Sequence, residues 1–174
     1  MDRIKLRYFN KSDIDLKVKW INDPEINEYL HYDIPLCKDR TLNWYNKIIG
    51  NQTREDFVYE VADETVNKTI GLIGLLNIDN KNAKAEFYIV NGEKEYWGKG
   101  LAQKASKEFL TKMFLKHRLN KIYLYTEVNN KGAQKLFEKI GFVKEGLLKE
   151  DLIFMGEKVD RYTYSIFRKD FLDG

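Results

Sequence analysis

The chain has 174 residues, 43% of them hydrophobic and 33% charged, with a formal net charge of +3. That length fits one domain, 1–174, long enough to bury a proper core, and the composition is that of a soluble globular protein. The positive charges are spread along the sequence, so nothing beyond charge points to nucleic acid; the single cysteine, Cys37, excludes an intrachain disulfide and a thiolate metal cluster; and no apolar run is long enough to span a membrane.

Ile4, Leu6 and Tyr8 alternate with polar residues and predict a first strand. Ser12 reads as the N-cap of a helix carrying Ile14, Leu16, Val18 and Trp20. Asn22-Asp23-Pro24 ends that helix, and Pro24 can start a short second one over 24–30. Residues 31–36 read as a loop, and 38–49 as a helix that brings together Leu42, Trp44, Tyr45 and Ile48. Segments 57–62 and 69–78 are hairpin partners around a polar turn at 63–68. A second turn at 79–82 leads into an alternating strand, 83–90.

Beyond it lies a lysine-rich helix, its face formed by Leu101, Ala105, Phe109 and Met113, running towards Lys121. The strand 121–128 follows, with Tyr123, Tyr125 and Thr126, then a helix at 130–140 ending at Gly141, a natural position just past a helix C-terminus. Two last strands, 142–154 and 158–168, turn at Met155-Gly156-Glu157. Antiparallel hairpins followed by strand–helix–strand–helix–strand predict an α/β (α+β) fold with a mixed, mostly antiparallel sheet and helices on both sides.

Between the strand 83–90 and the lysine-rich helix stands Tyr96-Trp97-Gly98-Lys99-Gly100-Leu101-Ala102. A glycine turn opening a helix directs several free backbone N–H groups, with the helix dipole behind them, at one point, which suits a pyrophosphate. Gly98 and Gly100 let the backbone approach an anion that a Cβ would hold off. The plainer reading is a loop that only connects strand to helix. The spacing fits neither a Walker loop nor a three-glycine dinucleotide fingerprint.

A second block, Asn130 to Phe142, contains Asn130, Ala133, Leu136, Phe137, Glu138, Lys139, Gly141 and Phe142 at fixed spacing. Together the two blocks resemble the GNAT family of N-acetyltransferases, especially the bacterial branch with ribosomal-protein alanine and spermidine acetyltransferases. Gly100 and Ala102 occupy the last fixed positions of that family's Gln/Arg-x-x-Gly-x-Gly/Ala loop, with Trp97 in place of Gln or Arg. The second block matches the family's Asn-x-x-Ala-x-x-Leu-Tyr-Glu-Lys-x-Gly-Phe helix except at Phe137.

The resemblance implies acetyl-coenzyme A as acetyl donor, its pyrophosphate on Trp97, Gly98, Lys99, Gly100, Leu101 and Ala102. It implies splayed strands around 86–90 and 122–128, with the pantetheine arm hydrogen-bonded to the backbone of Ile89 and Val90. Asn130 would cap its helix and reach the arm, and Phe137 would pack beside the thioester. His31 and Tyr32 fall in a region that forms one wall of the acceptor pocket in the family, and the acidic residues nearby, Glu25, Glu28 and Asp33, suit a cationic amine. The bland reading of that stretch is a polar surface loop.

Acetyl transfer to an amine needs a neutral nucleophile and a stabilised leaving thiolate. Glu86, on the strand leading to the glycine loop, is the candidate base; on a strand it shares a face with Tyr88, so both belong to the predicted acceptor site. The alternative is a glutamate facing solvent or neutralised by a lysine. Many relatives protonate the thiolate with the tyrosine that is Phe137 here, and Phe137 has no proton to give. Three readings stay open: the proton comes from the ammonium product or a water, another hydroxyl such as Tyr125 or Tyr88 supplies it, or the domain binds the coenzyme without efficient turnover. The competing functional class is therefore a non-catalytic acyl-coenzyme A-binding module.

His31 and His117 are far apart and no cysteine pair exists, so no metal site is expected. The expected partner is an amine acceptor, a polyamine, amino sugar, antibiotic or protein N-terminus, with monomer and homo-oligomer both open. The first residues lack a signal-peptide pattern, and the expected location is the cytoplasm.

Overall fold

The computed structural model describes residues 3–62 and 67–174; the predicted turn at 63–68 falls largely outside the described residues. Seven strands form one sheet in the order β1-β2-β3-β4-β5-β7-β6. They are β1 (Arg3–Tyr8), β2 (Glu55–Ala62), β3 (Asn67–Asp79), β4 (Lys84–Asn91), β5 (Lys121–Glu127), β6 (Val143–Phe154) and β7 (Glu157–Phe167). Neighbours run antiparallel except β4 and β5, which are parallel.

The helices α1 (Ile14–Ile21), α2 (Pro24–Asn27) and α3 (Lys38–Ile48) cover one face of the sheet; α4 (Leu101–His117) and α5 (Lys131–Ile140) cover the other. Strand alternation decides which residues go where. Phe57 and Tyr59 of β2 enter the larger core with Phe109, Met113 and Phe114 of α4, while Val58 between them joins Trp20 and Ile21 of α1. Burying each large apolar side chain of this kind contributes about 1.5–3 kcal/mol. Among the described residues no helix is long and apolar enough to cross a membrane.

The predicted element order holds, with three corrections. Asn10, not Ser12, caps the first helical segment: its side chain accepts from Ser12 N at 2.8 Å, and Asp13 accepts in return from Asn10 N at 2.9 Å. The second helix stops at Asn27, whose side chain turns back to donate to the Ile21 carbonyl at 2.8 Å. The last strand ends at Phe167, and a short helix α6 (Arg168–Leu172) follows because Phe171 and Leu172 pack against the larger core.

One feature of the sheet positions the site. The β4–β5 pairing consists of Lys84 with Lys121, Ala85 with Ile122, and Glu86 with Tyr123. Beyond that point β4 stays paired to β3 as far as Asn91, and β5 stays paired to β7 as far as Glu127. The two parallel strands diverge from Glu86 and Tyr123 onward and open a wedge in the middle of the sheet, as the family resemblance implied.

Candidate active site

The wedge is a cavity of about 700 Å³. Six of its lining residues come from β4, the predicted Glu86, Tyr88, Ile89 and Val90 with Phe87 and Asn91. The turn after β4 and the first residues of α4 add Trp97, Gly98, Gly100, Leu101 and Ala102; α5 and its cap add Phe137 and Asn130; the loop after α2 adds His31. Of the residues predicted from sequence, Lys99 and Tyr32 do not line it. The Lys99 ammonium lies 5.1 Å from the centre of the Tyr96 ring. Tyr32 is drawn into the apolar cluster under α1 and α3, where burial raises its hydroxyl pKa.

The glycine turn has the conformation its sequence demands. Gly98 and Gly100 sit at φ +74° and +76°, a region that L side chains rarely adopt, and a Cβ at either would meet no protein atom within 4 Å. Gly100 is the residue preceding α4, and its carbonyl accepts the first helical bond from Lys104 N at 3.1 Å. The N–H groups of the first turn therefore have no intrahelical partner and border open space at the positive end of a 17-residue helix.

Asn91, which the sequence did not single out, ties this turn to the sheet. Its carbonyl accepts from the Trp97 indole Nε1 at 3.2 Å, and its side-chain oxygen accepts from the hydroxyl of the fully buried Tyr59. On the far wall, Asn130 caps α5 by accepting from Ala133 N at 3.1 Å, and the buried Gln134 donates to the carbonyls of Glu127 (3.2 Å) and Val128 (2.9 Å), fastening α5 to the end of β5. Phe137 is 7% exposed, its ring 6.5 Å from Phe87, 6.0 Å from Phe142 and 6.3 Å from Tyr164, so it belongs to both the core and the cavity wall.

At the crotch of the wedge, the half-buried Glu86 accepts a hydrogen bond from Asn77 Nδ2 at 2.9 Å. Asn77 has φ +50° and sits where the β3–β4 register slips between Leu76 and Asp79. The Tyr88 ring lines the cavity, yet its hydroxyl points away, donating to Asp56 Oδ1 at 2.6 Å, and Asp56 is gripped by Arg54 at 2.6 and 2.7 Å. Burial first, then the Asp56 charge, holds the Tyr88 hydroxyl well above the ordinary phenol pKa. Tyr125 is more open, with the Arg161 guanidinium 4.5 Å from its ring centre.

His31 lines the cavity beside the end of β5. Its Nε2 lies 2.7 Å from Glu127 Oε1, and its ring meets Phe154 edge-on at 5.1 Å between centres. Tyr29 donates to the Asn129 carbonyl at 3.4 Å, so the loop after α2 is bound to the end of β5. Glu25, Glu28, Glu86, Glu93 and Glu127 border the cavity, as do Lys135, Lys139 and Arg161, and Glu25 is paired with Lys94 at 2.7 Å. Glu127 was legible as a member of one strand face with Tyr123 and Tyr125 at two-residue spacing, but the sequence reading stopped at the tyrosines.

The geometry joins a helix start with free N–H groups, two unpaired strand edges and several carboxylates on one cavity. Residues 3–143 match the family model described as an acetyltransferase (GNAT) domain. A spermidine N(1)-acetyltransferase of Vibrio cholerae is 30% identical over 98% of this chain and 96% of its own, and an uncharacterized N-acetyltransferase of Bacillus licheniformis is 28% identical over 98% and 96%. The crystal structure of the Vibrio cholerae spermidine N-acetyltransferase with CoA and spermine superposes with a TM-score of 0.89 at 31% identity, covering 97% of this chain and 98% of that one. The chain belongs to the GNAT acetyltransferase family, and its reaction is the transfer of an acetyl group to an amine.

Proposed function

We propose that the whole chain, as one N-acetyltransferase domain, moves the acetyl group of acetyl-coenzyme A to a primary amine of a small polycation, a polyamine in the first place. The observation that carries this reading is the set of carboxylates, Glu28, Glu86 and Glu127, that borders the same cavity as the open start of α4. A polyamine carries several positive charges near neutral pH, and carboxylates set apart along one cavity suit such a chain better than a single amine. Relatives that acetylate spermidine point the same way.

In this reading the backbone N–H groups from Gly98 to Ala102 hold the pyrophosphate of the coenzyme, which supplies the activated acetyl thioester. Ile89 and Val90 present their backbone to the pantetheine arm, as an added strand would be held. Phe137 packs against the arm, and Asn130 holds the start of α5 in place. Glu86, kept in orientation by Asn77, takes the proton that the acceptor ammonium must lose. The amine nitrogen then attacks the thioester carbonyl, the C–S bond breaks with its electron pair leaving on sulfur, and the nitrogen's remaining extra proton passes to that thiolate to give the free thiol. Glu127 and Glu28 draw the remaining cationic nitrogens along the acceptor end. Cys37 is a free thiol, in keeping with the reducing cytoplasm as the place of action.

The test is thiol release from acetyl-coenzyme A with a panel of acceptors. Spermidine and spermine should be acetylated with kcat/KM well above that of monoamines, amino sugars and N-terminal peptides. Equal or better turnover of an uncharged-tail monoamine would contradict the polycation assignment.

A further inference from the structure

Among the described residues two buried side-chain oxygens have no hydrogen-bond partner, Thr126 Oγ1 and Ser165 Oγ. A buried hydroxyl left unpaired carries the full cost of its desolvation, so each calls for an explanation. Ser165 lies inside paired strands, opposite Tyr123 on β5 and Val143 on β6, away from the cavity. Thr126 is different: it is 6% exposed and lines the wedge.

Its place in the strand fixes the side it serves. Thr126 shares a face of β5 with Ile122 and Leu124, the face against which α4 and α5 pack. Tyr164, paired with Leu124, is the residue that Phe137 meets at 6.3 Å. The unpartnered hydroxyl thus borders the same side of the wedge as the phenylalanine that replaces the family's tyrosine. The other candidate hydroxyls are on the opposite face of their strands. Tyr88 is committed to Asp56, and Tyr125 is stacked beneath Arg161.

We propose that the Thr126 hydroxyl donates a hydrogen bond to the thioester end of acetyl-coenzyme A in the wedge, supplying from β5 part of what a tyrosine at position 137 supplies from α5. It donates a hydrogen bond, not its proton. Glu86 takes the first proton from the ammonium; when the neutral amine attacks, the C–S electron pair goes to sulfur, the nitrogen's second proton passes to that departing thiolate to give the thiol, and the hydroxyl stays protonated throughout. This rests on the coenzyme reading given above, and the unpaired Oγ1 is the added observation.

Thr126→Val keeps the shape and removes the hydroxyl; Thr126→Ser keeps the hydroxyl. Calorimetric titration with acetyl-coenzyme A should show the dissociation constant rising about two- to tenfold in the valine variant and staying within twofold of the parent in the serine variant. The melting temperature of unliganded Thr126→Val should equal or exceed the parent's, because no hydroxyl is left buried without a partner. Parental affinity in Thr126→Val, equal losses in both variants, or a clear fall in the valine variant's melting temperature would each overturn the assignment. Failure of the parent itself to bind acetyl-coenzyme A would instead remove the coenzyme reading on which it rests.

Discussion

The Trp97 indole Nε1 donates to the Asn91 carbonyl at 3.2 Å, linking the glycine turn to the last residue of β4. Asn91 is itself held from below by the Tyr59 hydroxyl, so a fully buried core residue fixes the turn through two hydrogen bonds. At a net ~0.5–1.5 kcal/mol per bond, Trp97→Phe should weaken acetyl-coenzyme A binding about two- to tenfold. Calorimetric titration checks it, and an unchanged dissociation constant would show that the tether does not order the turn.

Gly100→Val should weaken coenzyme binding more severely. A Cβ would hold off the anion, and Gly100 lies at φ +76°, where a β-branched residue is strained. Because no protein atom lies within 4 Å of the added Cβ, the fold should survive. The circular dichroism spectrum should match the parent's while the titration shows binding reduced by a factor of ten or more, consistent with at least ~1.4 kcal/mol. Parental affinity would place the phosphates elsewhere.

Glu86→Gln should lower turnover about a hundredfold to ten-thousandfold at neutral pH. The loss should shrink as pH approaches the acceptor's own pKa, where free amine no longer depends on a base. A loss that is uniform across pH would make Glu86 a binding residue.

These sites differ in how far the sequence disclosed them. The glycine turn and the Asn130–Gly141 helix were legible because their chemistry is local: a positive φ, a cap, an apolar stripe. His31 and Tyr32 are adjacent in sequence and were assigned together, yet one pairs with Glu127 at the cavity and the other packs under α3. That choice depends on partners far along the chain. Asn77 was hidden for a related reason, since only the slipped β3–β4 register brings its amide to Glu86. Asn91 and Thr126 carry no motif at all; the first is identified by what it accepts, the second by what it lacks.

Phe137→Tyr should place a hydroxyl beside the departing sulfur at little cost in volume, because Phe137 lines the wedge as well as touching Phe87 and Phe142. Turnover should be at least that of the parent, with coenzyme binding retained. A clear drop in melting temperature with slower thiol release would show the hydroxyl buried without a partner.

Lys17 gives the fold a pH signature of its own. It is 8% exposed, its ammonium 3.5 Å from the centre of the Trp44 ring, and burial lowers its pKa from 10.5 to about 8, opposed by the Asp56 charge. Between those two values the unfolded chain holds a proton that the folded chain has released, so stability rises with pH. Tyr59 and Tyr88, whose pKa values burial raises, act in the opposite direction only above about pH 10. Denaturant unfolding should show stability increasing from about pH 8 to 10, and Lys17→Met should flatten that rise. The same slope in both proteins would assign it to other groups.

In the proposed reaction, acetyl-coenzyme A in the β4–β5 wedge acetylates an amine brought to Glu86. Steady-state thiol release with spermidine as acceptor, for the parent and Glu86→Gln side by side across pH, tests it most directly. The parent should release thiol rapidly and give the amide product by mass spectrometry, and the variant's deficit should narrow as pH rises. Acetyl-coenzyme A binding to the parent without thiol release to any amine in the panel would contradict it.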